Sequence, residues 1–348
     1  MFSILRPYIF SLDPEVTHDL AIKSLKYNFI PESFFRVNGE EILETNLSGI
    51  NLKNPIGLAA GFDKSAEVYN SLFKLGFGFV EIGTITPKRQ LGNPKPRIFR
   101  LEKDKALINR LGFNNDGLDI ILERIKKNPT SGILGINIGP NKDTKIKEDD
   151  FNECLSKLHN QANYLTINIS SPNTEGLRNF HEKNSMIKLL DRLSKLKTKL
   201  KINKPIFVKL SPDIRDKEIN TILEVIFRFK IDGIIISNTS DNNRKNLVDN
   251  KKSEKGGLSG QPIKNLSTTL IKKFYKETNK KIAIIGVGGV DSGKSVFEKI
   301  SSGANAVQLY TGMVYEGPGI VKKIKSELIS ILKKEKIKKL ANAVGINA

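Results

Sequence analysis

From about residue 55 onward, short uninterrupted runs of apolar, mostly β-branched residues alternate with longer stretches in which apolar positions recur every three or four residues. The first pattern marks strands buried on both faces, and the second marks amphipathic helices laid against them. Eight strands are predicted, over residues 56–59, 79–83, 133–138, 164–169, 206–210, 233–237, 282–287 and 306–310. Spacers of helical length separate them, among them residues 116–128 and 217–229. Eight strand–helix repeats in about 270 residues predict an α/β fold of the (β/α)8 TIM-barrel type. A doubly wound sheet is the competitor, but no GxGxxG follows the first strand. The longer spacing between Thr86 and Phe113 predicts a hairpin or excursion over the barrel mouth.

Ahead of the barrel, residues 1–40 read as an N-terminal helical extension. Asp13-Pro14-Glu15 is a helix start, with a capping acid, a proline in the first turn and a second acid facing the helix dipole. Val16, Leu20, Ala21 and Leu25 then form an apolar stripe, preceded by a shorter segment carrying Phe2, Ile4, Leu5, Ile9 and Phe10. Such a pair of helices either packs on the domain or lies on a membrane. The barrel is assigned to residues 41–328, and residues 329–348 form a basic, helix-prone tail.

Composition narrows the function. The 348-residue chain is 39% hydrophobic and carries a formal charge of +20, from 57 Lys and Arg against 37 Asp and Glu. The charge is spread out, with local runs at Lys251–Lys255 and Lys333–Lys339, and basic–aromatic motifs of the RNA-binding kind are missing. It therefore reads as a solvated surface with a secondary attraction for anions, and no specific nucleic-acid partner is expected. The single Cys154 excludes an intramolecular disulfide and reads as a core residue, and His18, His159 and His181 lack metal-ligand spacing. No metal is expected. No apolar run approaches the roughly 20 residues of a membrane span, and the start lacks a signal-peptide cleavage pattern. The chain is expected inside the cell, with its first residues able to touch a surface.

Barrel enzymes keep their chemistry just after the strands. There the chain places Ala59–Lys64, Thr84–Pro87, Asn137, the run Asn168-Ile169-Ser170-Ser171-Pro172-Asn173-Thr174, Lys209, Ser237-Asn238-Thr239, Gly286–Gly289 and Tyr310-Thr311-Gly312. Glycine-rich loops after the seventh and eighth strands suit a phosphate, because backbone N–H groups can approach an anion closely. Asparagines, two lysines and small hydroxyls at one mouth suit a planar ligand edged with carbonyls and N–H groups. With no His–carboxylate pair and no acidic cage, a phosphate-anchored redox cofactor fits better than triad hydrolysis or metal chemistry.

These residues lie in longer motifs: LDPEVTH, NPIGLAAGFDK, EIGTITPK, NPKPRIFR, INRLGFNN, LGINIG, NISSPNT, GGLSG, IIGVGG and QLYTG. Through them the chain, from about Leu12 to Lys322, resembles the dihydroorotate dehydrogenases, specifically the membrane-associated, quinone-dependent class. The resemblance implies FMN across the barrel mouth, its phosphate on Gly260, Gly289, Tyr310 and Thr311. Ala60, Gly61, Lys64, Thr84, Asn137, Asn168, Lys209 and Ser237 then line the flavin. Dihydroorotate, oxidised to orotate, is implied to contact Lys64, Asn109, Asn168, Asn173, Asn238 and Thr239, with Arg110, Leu111, Gly112 and Phe113 in the covering stretch. Ser171 takes the place of the catalytic base, removing the C5 proton while hydride leaves C6 for flavin N5, with the rate rising toward alkaline pH. The N-terminal extension is implied to form a quinone tunnel lined by His18, Arg100 and Tyr310, and to rest on anionic membrane at the cytoplasmic side of the inner membrane. De novo pyrimidine synthesis is the implied setting.

The alternatives left open are a soluble enzyme of the same family using fumarate or NAD, against which Ser171 and residues 1–40 speak, and a binding protein exploiting the basic surface. Two departures stand out. The sixth strand ends Ser237-Asn238-Thr239-Ser240 where the family commonly has Thr-Asn-Thr-Thr, and residues 241–255 read as a mobile, lysine-rich loop.

Overall fold

The computed structural model describes residues 2–27 and 31–348. Its centre is a closed parallel barrel of eight strands: β1 (Ile56–Leu58), β2 (Phe79–Ile85), β3 (Ile133–Ile138), β4 (Tyr164–Asn168), β5 (Ile206–Leu210), β6 (Gly233–Ile236), β7 (Ala283–Val287) and β8 (Ala306–Leu309). Each strand pairs with its chain neighbour, and β8 closes on β1 with Val307 opposite Ile56 and Leu309 opposite Leu58. All eight lie where the apolar runs predict them, and the spacer helices appear as Leu118–Lys127 and Asp216–Arg228.

Inward-facing residues recur every second position along the strands. The lowest layer is apolar: Phe79, Tyr164, Phe207, Ile235, Ile285 and Ala306 are buried together with Leu47 and Leu52. Glycines make the room, since a Cβ on Gly57, Gly135 or Gly233 would come within 2.3 Å of the rings of Phe79, Tyr164 or Phe207. Leu47 and Leu52 belong to a two-stranded hairpin, Thr45–Leu47 with Ile50–Leu52, that plugs the barrel floor. Its turn residues Ser48 and Gly49 both have positive φ, the conformation that matches strand twist in a tight hairpin. Two residues further along the strands the barrel turns polar, with Glu81, Thr166 and Gln308 fully buried.

The excursion expected between Thr86 and Phe113 is a hairpin, Ile98–Leu101 with Ala106–Asn109, joined by a third strand, Gly257–Gly260, from far along the chain. This small sheet has its own core of Phe99, Leu101, Ala106, Ile108, Leu247, Leu258 and Ile263. The lysine-rich stretch 241–255 is anchored to it rather than loose. Asp104 accepts from the amides of Val248 and Asp249 at 3.0 Å, and Arg244 donates to the carbonyls of Lys252, Glu254 and Gly256.

The extension forms two helices, α1 (Phe2–Ser11) and α2 (Pro14–Tyr27). Asp13 Oδ1 caps α2 by accepting from the amides of Glu15 and Val16 at 2.8 and 3.1 Å. The expected stripe divides: Leu25 packs toward the barrel, together with Ile22 from outside the stripe, whereas Val16 and Leu20 face outward. Residues 31–40 behave differently from the helices before them. Phe35 is buried, and Lys325, on the last long helix (Ile320–Lys334), donates to Phe35 O at 3.1 Å and to Glu40 Oε1 at 2.7 Å. That helix runs across the expected boundary at 328/329. Beyond it Leu340 and Ala343 are fully buried, and the amides of Gly345 and Asn347 donate to the carbonyls of Ile300 and Ser301. The basic tail is thus docked on the barrel.

Glu15 hooks α2 onto the hairpin sheet through Arg97, whose Nη2 lies 2.6 Å from Oε1, with both side chains largely buried. Burial alone would raise the Glu15 carboxyl, but the bonds and charges of Arg97 and Lys95 outweigh it and hold it below its ordinary value. A lowered carboxyl contributes stability that is fully present above its ordinary 4.5 and is lost as pH falls through the lowered value. Glu15→Gln, which leaves Arg97 without its carboxylate, is expected to weaken the docking of α2 by about 3 kcal/mol. Hydrogen exchange should then accelerate in residues 2–27 at neutral pH and leave the barrel strands protected. Equal protection in both proteins would remove Glu15 from this role.

Candidate active site

The C-terminal ends of the strands and the hairpin sheet frame a cavity at the barrel mouth. Ala60, Gly61, Lys64, Thr84, Asn168, Lys209, Ser237, Gly260, Gly289, Tyr310 and Thr311 line it, as do Asn109, Leu111, Gly112, Phe113, Ser171, Asn173, Asn238 and Thr239. Among the described residues of its wall the charged side chains are Lys64 and Lys209, and no carboxylate is present. Burial lowers the Lys64 ammonium to about 8, and the nearby Arg97 charge adds to the effect while acids at Glu15, Asp19 and Asp63 oppose it. Lys209 is likewise lowered by burial, against the opposing charge of Glu81. Two desolvated cations without a counter-ion in the wall make this a receptor for anions.

Four predicted residues, Arg110, Asn137, Arg100 and His18, stand outside its lining. Arg110 turns away from the cavity, stacking 4.5 Å from the Phe99 ring and bonding Glu254 at 2.8 Å. Asn109 ends a strand facing in, so its neighbour must face out. Asn137 lies one layer beneath the floor, fully buried, and reaches the cavity only through Thr84 and Asn168. Arg100 binds the two N-terminal helices together, donating to Phe10 O, Leu12 O and Thr17 Oγ1 at 2.8–3.1 Å. His18 sits against Phe62 at 5.0 Å between ring centres, and Phe62 in turn meets Tyr310 at 6.0 Å, so aromatic contacts run from α2 to the cavity wall. Burial, reinforced by the Lys64 charge, takes His18 down to about 3 and keeps it neutral.

The loop after β4 carries the densest chemistry. Ser171 is 5% exposed, and its Oγ accepts from the Asn173 amide at 3.2 Å. A donor aimed at that oxygen favours its developing negative charge. Arg178 fastens the loop from outside, donating to Ser170 O at 3.1 Å and Thr239 O at 3.0 Å while its Nη1 pairs with Asp213 and Asp241. Opposite, Gln90, Asn93 and Asn115 bind the carbonyls of Gly112, Arg110 and Phe113, so the covering stretch is pinned from behind. Asn173 and Asn109 meet across the gap at 3.4 Å.

At the other end, glycine loops after β7 and β8 face Ser259, whose hydroxyl is 2.8 Å from that of Thr311. Gly289 adopts φ +67°, and any Cβ there would meet Lys264 Cβ at 2.4 Å, so glycine is required. Ser259, Leu107, Ile98 and Ile263 of the wall escaped the sequence reading because they come from the hairpin sheet and its flank. So did the buried acceptor Glu81, which sits inside an apolar run as Phe79-Val80-Glu81-Ile82. Its charge within a strand covered on both faces was the available signal.

The (β/α)8 barrel thus gathers a serine, asparagines and two lysines at one mouth, with glycine loops at its other end, a lining suited to an anionic ligand. The sequence profile described as Dihydroorotate dehydrogenase matches residues 42–332. A protein of Bartonella tribocorum named dihydroorotate dehydrogenase (quinone) is 44% identical over 339 residues, covering 95% of this chain and 92% of that one. Its namesake from Idiomarina loihiensis is also 44% identical, covering 94% and 100%. Among solved structures, ligand-free DHODH from Eimeria tenella superposes with a TM-score of 0.92 at 40% identity, over 96% of this chain and 99% of that one. The same enzyme in complex with ferulenol also gives 0.92, at 39% identity and 96% coverage of both. The chain belongs to the dihydroorotate dehydrogenase family, and it is an oxidoreductase.

Proposed function

We propose that this chain oxidises dihydroorotate to orotate with FMN as resident cofactor, passing the electrons to a membrane quinone in pyrimidine synthesis. The observation that carries this reading is one cavity holding Ser171, Asn109, Asn168, Asn173, Asn238, Lys64 and Lys209, with no carboxylate among the described residues of its wall. Its donor set fits FMN: glycine backbone and the hydroxyls of Ser259 and Thr311 suit a phosphate, and the Lys209 ammonium suits the carbonyl edge of the ring. When bound, the flavin supplies a two-electron acceptor for the hydride.

The chain's own residues do the rest. Lys64 meets the substrate carboxylate, and Asn109, Asn173 and Asn238 hold the amide edges of the pyrimidine. Ser171 Oγ takes the C5 proton while its own hydroxyl proton passes along a hydrogen-bonded relay to solvent. The covering stretch 109–113, pinned by Gln90, Asn93 and Asn115, excludes water from the reacting face. Exposed Ile4, Leu5, Tyr8, Leu12, Val16 and Leu20 give the two helices an apolar outer face suited to a membrane surface, and the net charge of +20 favours an anionic one. Among the described residues no helix is long and apolar enough to cross a membrane, so the proposed contact is peripheral.

An anaerobic spectrum tests the whole reading. Flavin bands should bleach with dihydroorotate and return with a short-chain quinone, and protein that stays colourless after added FMN would sink it. Recovery with fumarate or NAD instead of quinone would keep the oxidation and reassign the acceptor. Lys64 adds a pH signature. Its ammonium persists below about 8 and is lost above, so KM for dihydroorotate should rise about tenfold per pH unit beyond that point. Over the same range, Ser171-dependent flavin reduction at saturating substrate should accelerate. Lys64→Met should flatten the KM profile, and an unchanged slope would separate Lys64 from the carboxylate.

A further inference from the structure

Beneath the cavity floor, inside the barrel, Glu81 is fully buried and collects four hydrogen bonds. Tyr164 OH, Thr166 Oγ1 and Gln308 Nε2 donate to Oε2 at 2.9, 3.1 and 2.9 Å, and Asn137 Nδ2 donates to Oε1 at 2.8 Å. Three donors from β4 and β8 thus hold one oxygen, and the other is left for Asn137.

The consequence runs upward. With its Nδ2 committed to Glu81, Asn137 must turn Oδ1 toward the mouth, where it accepts from Thr84 Oγ1 at 2.7 Å and Asn168 Nδ2 at 3.2 Å. Asn168 Nδ2 also donates to Thr84 Oγ1 at 3.0 Å, so Asn168 Oδ1 faces the β4 loop. There it accepts from the Ser170 hydroxyl at 3.0 Å and lies 3.4 Å from Asn238 Nδ2. A side-chain amide has a donor end and an acceptor end, and nothing intrinsic decides which points where. An amide opposite Asn137 would accept either orientation, whereas a carboxylate accepts one. Were Asn137 reversed, its Nδ2 would confront Asn168 Nδ2, and the sequence of donors and acceptors would fail up to the mouth.

We propose that Glu81 is a positioning residue that sets the direction of the amide chain Asn137–Asn168–Asn238, and thereby which donors and acceptors the mouth offers to flavin and pyrimidine. It touches neither ligand. The proposal rests on the FMN and dihydroorotate reading above, and its test separates the two.

The test uses FMN-loaded protein and orotate, with affinity read from the orotate-induced shift of the flavin spectrum. Glu81→Gln keeps the shape but lets Asn137 reverse, and it should weaken orotate binding about 10–100-fold, as loss of an outer-layer partner does at other sites. Adding Asn137→Asp to that variant restores one direction. The glutamine amide now at position 81 can donate to the new carboxylate at position 137, whose other oxygen accepts from Thr84 and Asn168. The double variant should therefore bind orotate more tightly than Glu81→Gln alone. Asn137→Asp in the unaltered background sets two carboxylates together and should weaken binding, so the second substitution changes sign with its background. Tyr164→Phe, which removes a donor from the far oxygen and an acceptor from Gln308, both away from Asn137, should leave orotate affinity unchanged.

Wild-type affinity in Glu81→Gln, losses that simply add in the double variant, or an equal loss in Tyr164→Phe would each overturn the proposal. Should Glu81→Gln fail to fold, the double variant decides alone: it folds and binds orotate, or the proposal falls. Wild-type protein that takes up no FMN would instead overturn the functional reading itself.

Discussion

Ser171→Ala is expected to bind FMN as the parent does and to reduce it with dihydroorotate about 10²–10⁴-fold more slowly, the usual contribution of a positioned base. Little else should change. The side chain is small and buried, and the bond it would lose, from the Asn173 amide, is worth about 1 kcal/mol. The loop keeps its shape through Arg178, which grips Ser170 and Thr239 rather than Ser171. Stopped-flow absorbance during the reductive half-reaction, with flavin content measured beforehand, separates lost chemistry from lost cofactor. Parent-like reduction would take the proton-abstracting role away from Ser171.

Removing residues 1–30 is expected to leave dihydroorotate-driven bleaching nearly intact while quinone reduction falls on the order of 10²-fold, because the acceptor loses the surface that orients it. The place of the cut matters. Residues 31–40 belong energetically to the barrel, where Phe35 is buried and Glu40 faces the buried Lys325. A truncation at 40 would strand that ammonium, so damage to both half-reactions would then report instability rather than function. With the cut at 30, equal loss in both half-reactions would count against an acceptor site in the helices.

The barrel was legible because each strand is a continuous apolar run, the mark of a parallel sheet covered on both sides. The same property hid the interior. When both faces of a strand are apolar, period-two alternation vanishes, and the inward direction of Glu81, Thr166 and Gln308 cannot be read from Phe79–Ile85 or its neighbours. The mouth residues were legible because they sit at strand ends in polar runs. Arg110 lies inside a motif of mouth residues yet points away from the cavity, because strand geometry sends adjacent side chains to opposite faces. The third strand of the hairpin sheet joins Leu258 to Ile108, a pairing that no local pattern announces. Similarly, the lysines around Leu340 and Ala343 mask two buried apolar side chains that dock the tail together with the amides of Gly345 and Asn347.

The seam between β8 and β1, together with the Lys325 contacts to Phe35 and Glu40, bears on how the protein is made. The first barrel strand has no partner on one edge until Val307 and Leu309 have been synthesised, and residues 31–40 wait longer still for Lys325. Strands β1 to β7 can therefore leave the ribosome as an open, curling sheet with two exposed edges, a form prone to wrong pairing. Ring closure waits for the eighth strand, and the interval before it is when the open edges are most exposed to wrong pairing.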